Sequence, residues 1–166
     1  MNLKYVIPCD TVDSPDPDRY SLARIFIVDD HALFRKQLRL LIESQSDWVV
    51  CCEAADGIEA IHKHGIVKPN LTVMDFIMPG LDGLRASRRI LADNPDAAIL
   101  MVTLVPCPHV ADEAKRAGIK GFCSKIEGGC IIQAIETLLR GETYFSQISK
   151  LRRAVSRREP FEILSH

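Results

Sequence analysis

The chain has 166 residues, room for one domain of ordinary size with tails and too little for two substantial ones. Apolar residues make up 47% and charged residues 26%, a mixture that suits a globular protein with a real core and argues against a disordered one. A formal net charge of −1 supplies no global field toward nucleic acid or membrane, and no apolar run approaches the roughly 20 residues of a membrane span. The opening MNLKYVIPCDTVDSPDPD has no basic segment followed by an apolar one, so no secretion signal is expected and the cytoplasm is the expected compartment.

Residues 1–22 carry three prolines and an acidic SPDPD stretch, and read as an extension to the folded unit. Arg24–Val28 is an apolar run closed by Asp29 and Asp30, a strand followed by a polar loop. A helix is expected over His31–Ser44, with Leu33, Phe34, Leu38, Leu41 and Ile42 at helical spacing. Trp48–Ala54 reads as a second strand, and Asp56–His64 as a short helix ended near Gly65 and Pro69. Leu71–Met74 is a third strand, stopped by Asp75. The loop Met78-Pro79-Gly80-Leu81-Asp82-Gly83 is dense turn chemistry, with Asp82 a cap, and a helix follows from about Leu84 to Ala92. Ala97–Val102 is the fourth strand, with Thr103 at its end, and a helix over about Pro108–Ala117 stops at Gly118. Ile119–Cys123 is the fifth strand, followed by Ser124 and Lys125. The last helix, about Gly129–Arg140, presents Ile131, Ile132, Ile135, Leu138 and Leu139 on one face.

Five rounds of strand then helix imply an α/β fold with a parallel sheet covered on both faces. Residues 143–158 contain Lys150, Arg152, Arg153, Arg157 and Arg158 with no acid between them. That stretch reads as a solvated linker or helix face, with an arm toward DNA phosphates as the alternative. Six cysteines show no CxxC pair and no histidine at zinc spacing, and are expected as reduced core residues, Cys51 and Cys52 pointing to opposite faces of their strand. His62 and His64, two apart on a helix, cannot share a face and read as surface, and His31 reads as part of a first helical turn.

Open parallel sheets gather functional groups at the carboxyl ends of their strands. Those ends here are Asp29 and Asp30, Asp75, Thr103 and Lys125. Each alone has a bland reading: a solvated turn, a helix cap, a surface lysine. Their joint occurrence at four strand ends is hard to obtain that way. Three close carboxylates repel unless a cation bridges them, and Mg²⁺ is the hard ion that accepts few protein ligands. Asp75 is then a carboxylate nucleophile that forms an aspartyl phosphate, with Lys125 and the Thr103 hydroxyl meeting the phosphoryl oxygens.

Val28-Asp29-Asp30-His31, Met74 to Gly83 (MDFIMPGLDG), Thr103 and Gly121-Phe122-Cys123-Ser124-Lys125 together resemble the receiver domain of two-component response regulators, over about residues 24–142. DDHALFRKQLRLLIES, MPGLDGLRASRRI and RGETYFS are similar to the NarL/FixJ/LuxR-type branch. The resemblance implies a flavodoxin-like sheet of strand order 2-1-3-4-5, and a chain divided into an extension (1–22), a receiver (23–142) and a basic linker or tail (143–166). It implies Asp75 as phosphoacceptor, Mg²⁺ held by Asp30, Asp75 and the Ile77 carbonyl with Asp29 acting directly or through water, and a switch pair in Thr103 and Phe122, whose ring moves inward as the hydroxyl turns. The expected partners are a sensor histidine kinase and, on phosphorylation, a second copy. The helix-turn-helix domain of that branch would need residues beyond His166, so this chain is not expected to read DNA bases itself.

Three departures bear on behaviour. Leu104 follows the switch threonine, where the family has a small residue, and Pro106 and Pro108 stiffen the loop that normally rearranges. Ile77 and Val105 occupy the positions that help place or exclude a hydrolytic water, and neither offers a hydrogen bond. Two other readings stand beside the receiver. A haloacid-dehalogenase-type phosphatase also uses a nucleophilic Asp, but wants an acid where Ile77 stands. A pseudo-receiver that binds partners without phosphate would account for Leu104.

Overall fold

The computed structural model describes residues 22–126 and 128–145. Most of the N-terminal extension and the basic residues from Lys150 to Arg158 lie outside them. Five parallel strands, β1 (Ala23–Val28), β2 (Trp48–Ala54), β3 (Leu71–Asp75), β4 (Ile99–Thr103) and β5 (Gly121–Ser124), form one sheet of order β2-β1-β3-β4-β5. The helices are α1 (Ala32–Glu43), α2 (Gly57–Val67), α3 (Gly83–Asp93), α4 (Pro108–Arg116) and α5 (Gly128–Leu139). Chain order reverses between β1 and β3, so the crevice of this fold opens where Asp29 and Asp75 end their strands.

Two apolar layers sandwich the sheet, as burial on both faces demands. On one face Ile25, Ile27, Leu71, Val73, Leu100 and Val102 pack against Leu38 and Ile42 of α1 and Ile131, Ile135 and Leu138 of α5. On the other, Phe26, Val28, Met74, Met101 and Phe122 pack against Ala60 of α2, Leu84, Ala86 and Ile90 of α3, and Ala111 and Ala114 of α4. The fully buried apolar contributions of α2 and α4 on that face are alanines alone.

Local sequence explains most element ends. The His31 Nδ1 accepts the Phe34 amide at 3.2 Å and caps α1, so His31 serves the first turn as expected. Asp56 and Asp82 cap α2 and α3 in the same way. Pro108 opens α4, where its missing N–H costs nothing.

The structure departs from the sequence reading at four places. The second helix runs through Gly65 to Val67, because Ile61 and Val67 gain packing that outweighs the roughly 1 kcal/mol helical cost of a glycine. It stops at Lys68, which takes a left-handed conformation (φ 46°) before Pro69. His64 shares the inward face of α2 with Gly57 and Ala60, so it is buried while His62 stays exposed. Between Ile25 and Phe26 the register on β2 skips Cys51, a bulge that rotates the rest of the strand. Trp48 and Val50 therefore pack on the α1/α5 face but Cys52 and Ala54 on the other, and Cys51 and Cys52 both lie against that second layer instead of opposite ones. Finally, Leu33 is 58% exposed and no part of the buried face of α1.

Beyond α5 the chain returns to the open edge of β5. Tyr144 donates its amide to the Lys120 carbonyl (3.0 Å) and accepts from the Phe122 amide (2.8 Å), and its buried hydroxyl lies 3.3 Å from Cys130 Sγ and 3.2 Å from Gln133. The segment blunts an otherwise unpaired edge.

Candidate functional site

Backbone pairing fixes the strand ends that carry the site. The Asp29 amide donates to Ala54, Phe76 to Val102, and Lys125 to Thr103, at 3.1, 2.9 and 2.8 Å. The loop after β3 is held from beneath by Gly83, whose amide donates to the Phe76 carbonyl at 3.1 Å. A Cβ on Gly83 would collide with the main-chain oxygen of Asp75, so only glycine lets α3 start this close to the acid.

The structure brings all five polar residues of the sequence reading to one end of the sheet. Asp29, Asp30 and Asp75 each offer a carboxylate oxygen within 4.8 Å of the others. Asp29 and Asp75 are buried and Asp30 is exposed, so the cluster opens to solvent on the Asp30 side. The Lys125 ammonium, its side chain 6% exposed, lies 2.6 Å from Asp29 Oδ2 and 2.8 Å from Asp75 Oδ2. Asp29 Oδ1 accepts the His31 amide at 2.9 Å, whereas Oδ2 meets no well-aligned hydrogen-bond donor and is held by the ion pair alone. Burial pushes the Asp75 carboxyl above the ordinary carboxylate value; the Lys125 ammonium pulls it back down, and neighbouring Asp29 adds to the rise.

Thr103 is buried at the end of β4 and its hydroxyl accepts the Val105 amide at 3.3 Å. Phe122 is fully buried beside Met101 and Ala111, so in this conformation its ring is already inside the core. Ile77, Leu104 and Val105 are 62, 59 and 73% exposed, and stand as a rim at the mouth of the crevice. The Ile77 amide donates to Asp75 Oδ1 at 3.3 Å.

Two contributors were not visible in sequence. Arg35 donates from Nη1 to the Asp29 carbonyl (2.7 Å) and from Nε to Glu53 (3.1 Å), fixing the end of β1 against β2. Phe34, expected only as a core residue of α1, places its ring 4.7 Å from the Lys125 ammonium. The contacts of Arg35 with Glu53 and of Phe34 with Lys125 join residues distant in sequence, and no local pattern encodes them.

Formally, three carboxylates against one ammonium leave two negative charges in excess in a largely dry crevice. Oxygen ligands, that charge and the under-bonded Asp29 Oδ2 fit a hard divalent cation, and do not suit a soft metal.

Fold and site together define a doubly wound α/β module with an acidic crevice at the carboxyl ends of its strands. The family profile of response regulator receiver domains matches residues 25–136, and the chain belongs to that family. It is 36% identical over 123 residues to the oxygen regulatory protein NreC of Staphylococcus carnosus (strain TM300), an alignment covering 73% of this chain and 57% of the relative. The chain thus matches little more than half the length of that relative. Among solved structures, a LuxR-family two-component response regulator from Aurantimonas sp. SI85-9A1 superimposes with a TM-score of 0.77 at 34% identity, covering 82% of this chain and all of the other. The isolated receiver domain of RcsB from Salmonella enterica serovar Typhimurium, solved with the phosphomimetic BeF3−, shares the fold at TM-score 0.72 and 21% identity, over 78% of this chain and 98% of that one. The expected LuxR-type likeness and the 2-1-3-4-5 sheet are therefore both found. No helix among the described residues is long and apolar enough to cross a membrane.

Proposed function

We propose that this receiver accepts a phosphoryl group on Asp75 from the phosphohistidine of a sensor kinase, and that the resulting change at β4 and β5 gates a transcriptional output. The observation that carries the reading is the Lys125 ammonium bridging Asp29 and Asp75 within a three-carboxylate cluster. An Asp75 oxygen forms the new O–P bond as the donor's N–P bond breaks. The electron pair leaves on the imidazole nitrogen, which takes its proton from solvent. Lys125 balances charge on the phosphoryl oxygens and the Thr103 hydroxyl donates to one of them once it turns from the Val105 amide. Asp29, Asp30, Asp75 and the Ile77 carbonyl would hold Mg²⁺, which supplies positive charge to the transferring group.

Output follows from the β5 edge. Space left by the turned Thr103 hydroxyl lets the buried Phe122 ring shift toward it, and the Phe122 backbone is bonded to Tyr144, where the chain leaves the domain. Phosphorylation-favoured pairing of two copies, and DNA contact through a helix-turn-helix module outside these residues, are the effects this module would govern. The cytoplasm suits a kinase-fed receiver. A chemical-shift map with Mg²⁺ and beryllofluoride tests the reading: shifts centred on Asp75, Thr103, Lys125 and the β5 edge support it. A map with no response at Thr103 or Phe122 supports a pseudo-receiver instead.

A further inference from the structure

Lys125 leaves β5 and reaches across the end of β4 to acids on β3 and β1, a long flexible side chain with four rotatable bonds. Held only by carboxylates, its ammonium would be loosest when needed, because a divalent cation bound in the cluster would draw on Asp29 and Asp75 as well. A third partner is present for which no cation ligand set competes. The Phe34 ring, on the first turn of α1, sits with its centroid 4.7 Å from Nζ, inside the range of a cation–π contact. The ring is half-buried against the α1/α5 layer, and its backbone is tied by its amide to the His31 cap, so its place is set by the fold and not by Lys125.

We propose that Phe34 is a positioning residue for phosphoryl transfer, its ring face holding the Lys125 ammonium over the crevice when the metal takes up Asp29 and Asp75. This rests on the phosphoacceptor reading above. An aromatic face attracts the charge without offering an oxygen that a metal ion could claim, and it leaves the N–H groups on the far side of the ammonium for the phosphoryl oxygens. It also shields the ammonium from water, which strengthens each remaining interaction.

The test compares Phe34→Leu and Phe34→Tyr with the parent chain, each first checked for a cooperative melt. In the metal-free proteins the Lys125 ε-methylene protons should show an upfield ring-current displacement in the parent and in Phe34→Tyr, and lose it in Phe34→Leu. With saturating Mg²⁺, Phe34→Leu should bind beryllofluoride about 3- to 30-fold more weakly while Phe34→Tyr stays near the parent. Binding of Mg²⁺ alone should not weaken in Phe34→Leu, because the freed ammonium is no better a competitor for the acids. An unshifted Lys125 in the parent, or equal beryllofluoride affinity in Phe34→Leu and the parent, overturns the proposal. Equal weakening in both variants does so too, since it assigns the effect to packing. If the parent itself binds no beryllofluoride, the phosphoacceptor reading fails, while the proton shifts still decide whether the ring holds Lys125.

Discussion

At the scale of single residues, Asp75 is a carboxylate kept in a dry site at a cost to stability. Its folded value is raised by burial, so its favourable contribution is complete below the ordinary 3.8 and is lost as the pH rises through the folded value. Asp75→Asn should therefore be the more stable protein at neutral pH, with Lys125 still paired to Asp29, and the difference should shrink as the pH falls into the acid range. Urea unfolding of both proteins from pH 7 downward checks the sign. Gly83 carries the opposite demand. Gly83→Ala forces a methyl against the Asp75 carbonyl and should cost about 1–3 kcal/mol, with loss of phosphorylation beyond what the fall in melting temperature explains. The acids, Thr103 and Lys125 were legible because strand ends in this topology converge. Gly83 was legible only as a turn residue, and Phe34 and Arg35 only as helix residues, since their partners are set by how α1 packs.

Among the elements, the strands were readable as near-continuous apolar runs, and the helices by their periodicity and caps. An extra residue inside a run leaves no periodic trace, which is why the β2 bulge and the shared environment of Cys51 and Cys52 were not foreseen. Tertiary packing also decided α2, where the last turn continued past Gly65 and His64 fell on the buried face with Gly57 and Ala60. Burial lowers the His64 value below the ordinary 6.5, so the stability it permits is present above that value and is lost as the pH falls through it. His64→Leu should flatten the decline in stability as the pH is lowered from neutrality through about 6. The loops after β3 and β4 carry the residues expected to govern how long a phosphoryl group would last. Ile77, Leu104 and Val105 form an aliphatic rim with no group to orient water, so self-dephosphorylation should be slow. Ile77→Asn with Val105→Glu should shorten the phosphorylated lifetime by on the order of 10²-fold, followed by loss of the phosphoryl mass over time. An unchanged lifetime in that variant would contradict the role given to the rim.

For the whole molecule, the doubly wound sheet places every functional group at one end and leaves the other end to the core, with Trp48 starting β2 far from the chemistry. The β5 edge, bonded to Tyr144, connects that functional end to the outgoing chain. A near-neutral formal charge fits a module whose contact with DNA would be made by a separate domain. The architecture was readable as a whole because alternation of strand and helix permits few topologies, and right-handed crossovers select among them. What alternation could not convey was which conformation the Thr103 and Phe122 pair adopts; in the structure both are buried. The acceptor role proposed for Asp75 is tested most directly by intact mass after incubation with acetyl phosphate, with and without Mg²⁺, on the parent chain and on Asp75→Asn. One added phosphoryl mass is expected on the parent, dependent on Mg²⁺ and removed by hydroxylamine as an acyl phosphate requires, and none on Asp75→Asn. A parent chain that gains no mass, or an Asp75→Asn variant that gains the same mass in the same crevice, would contradict it.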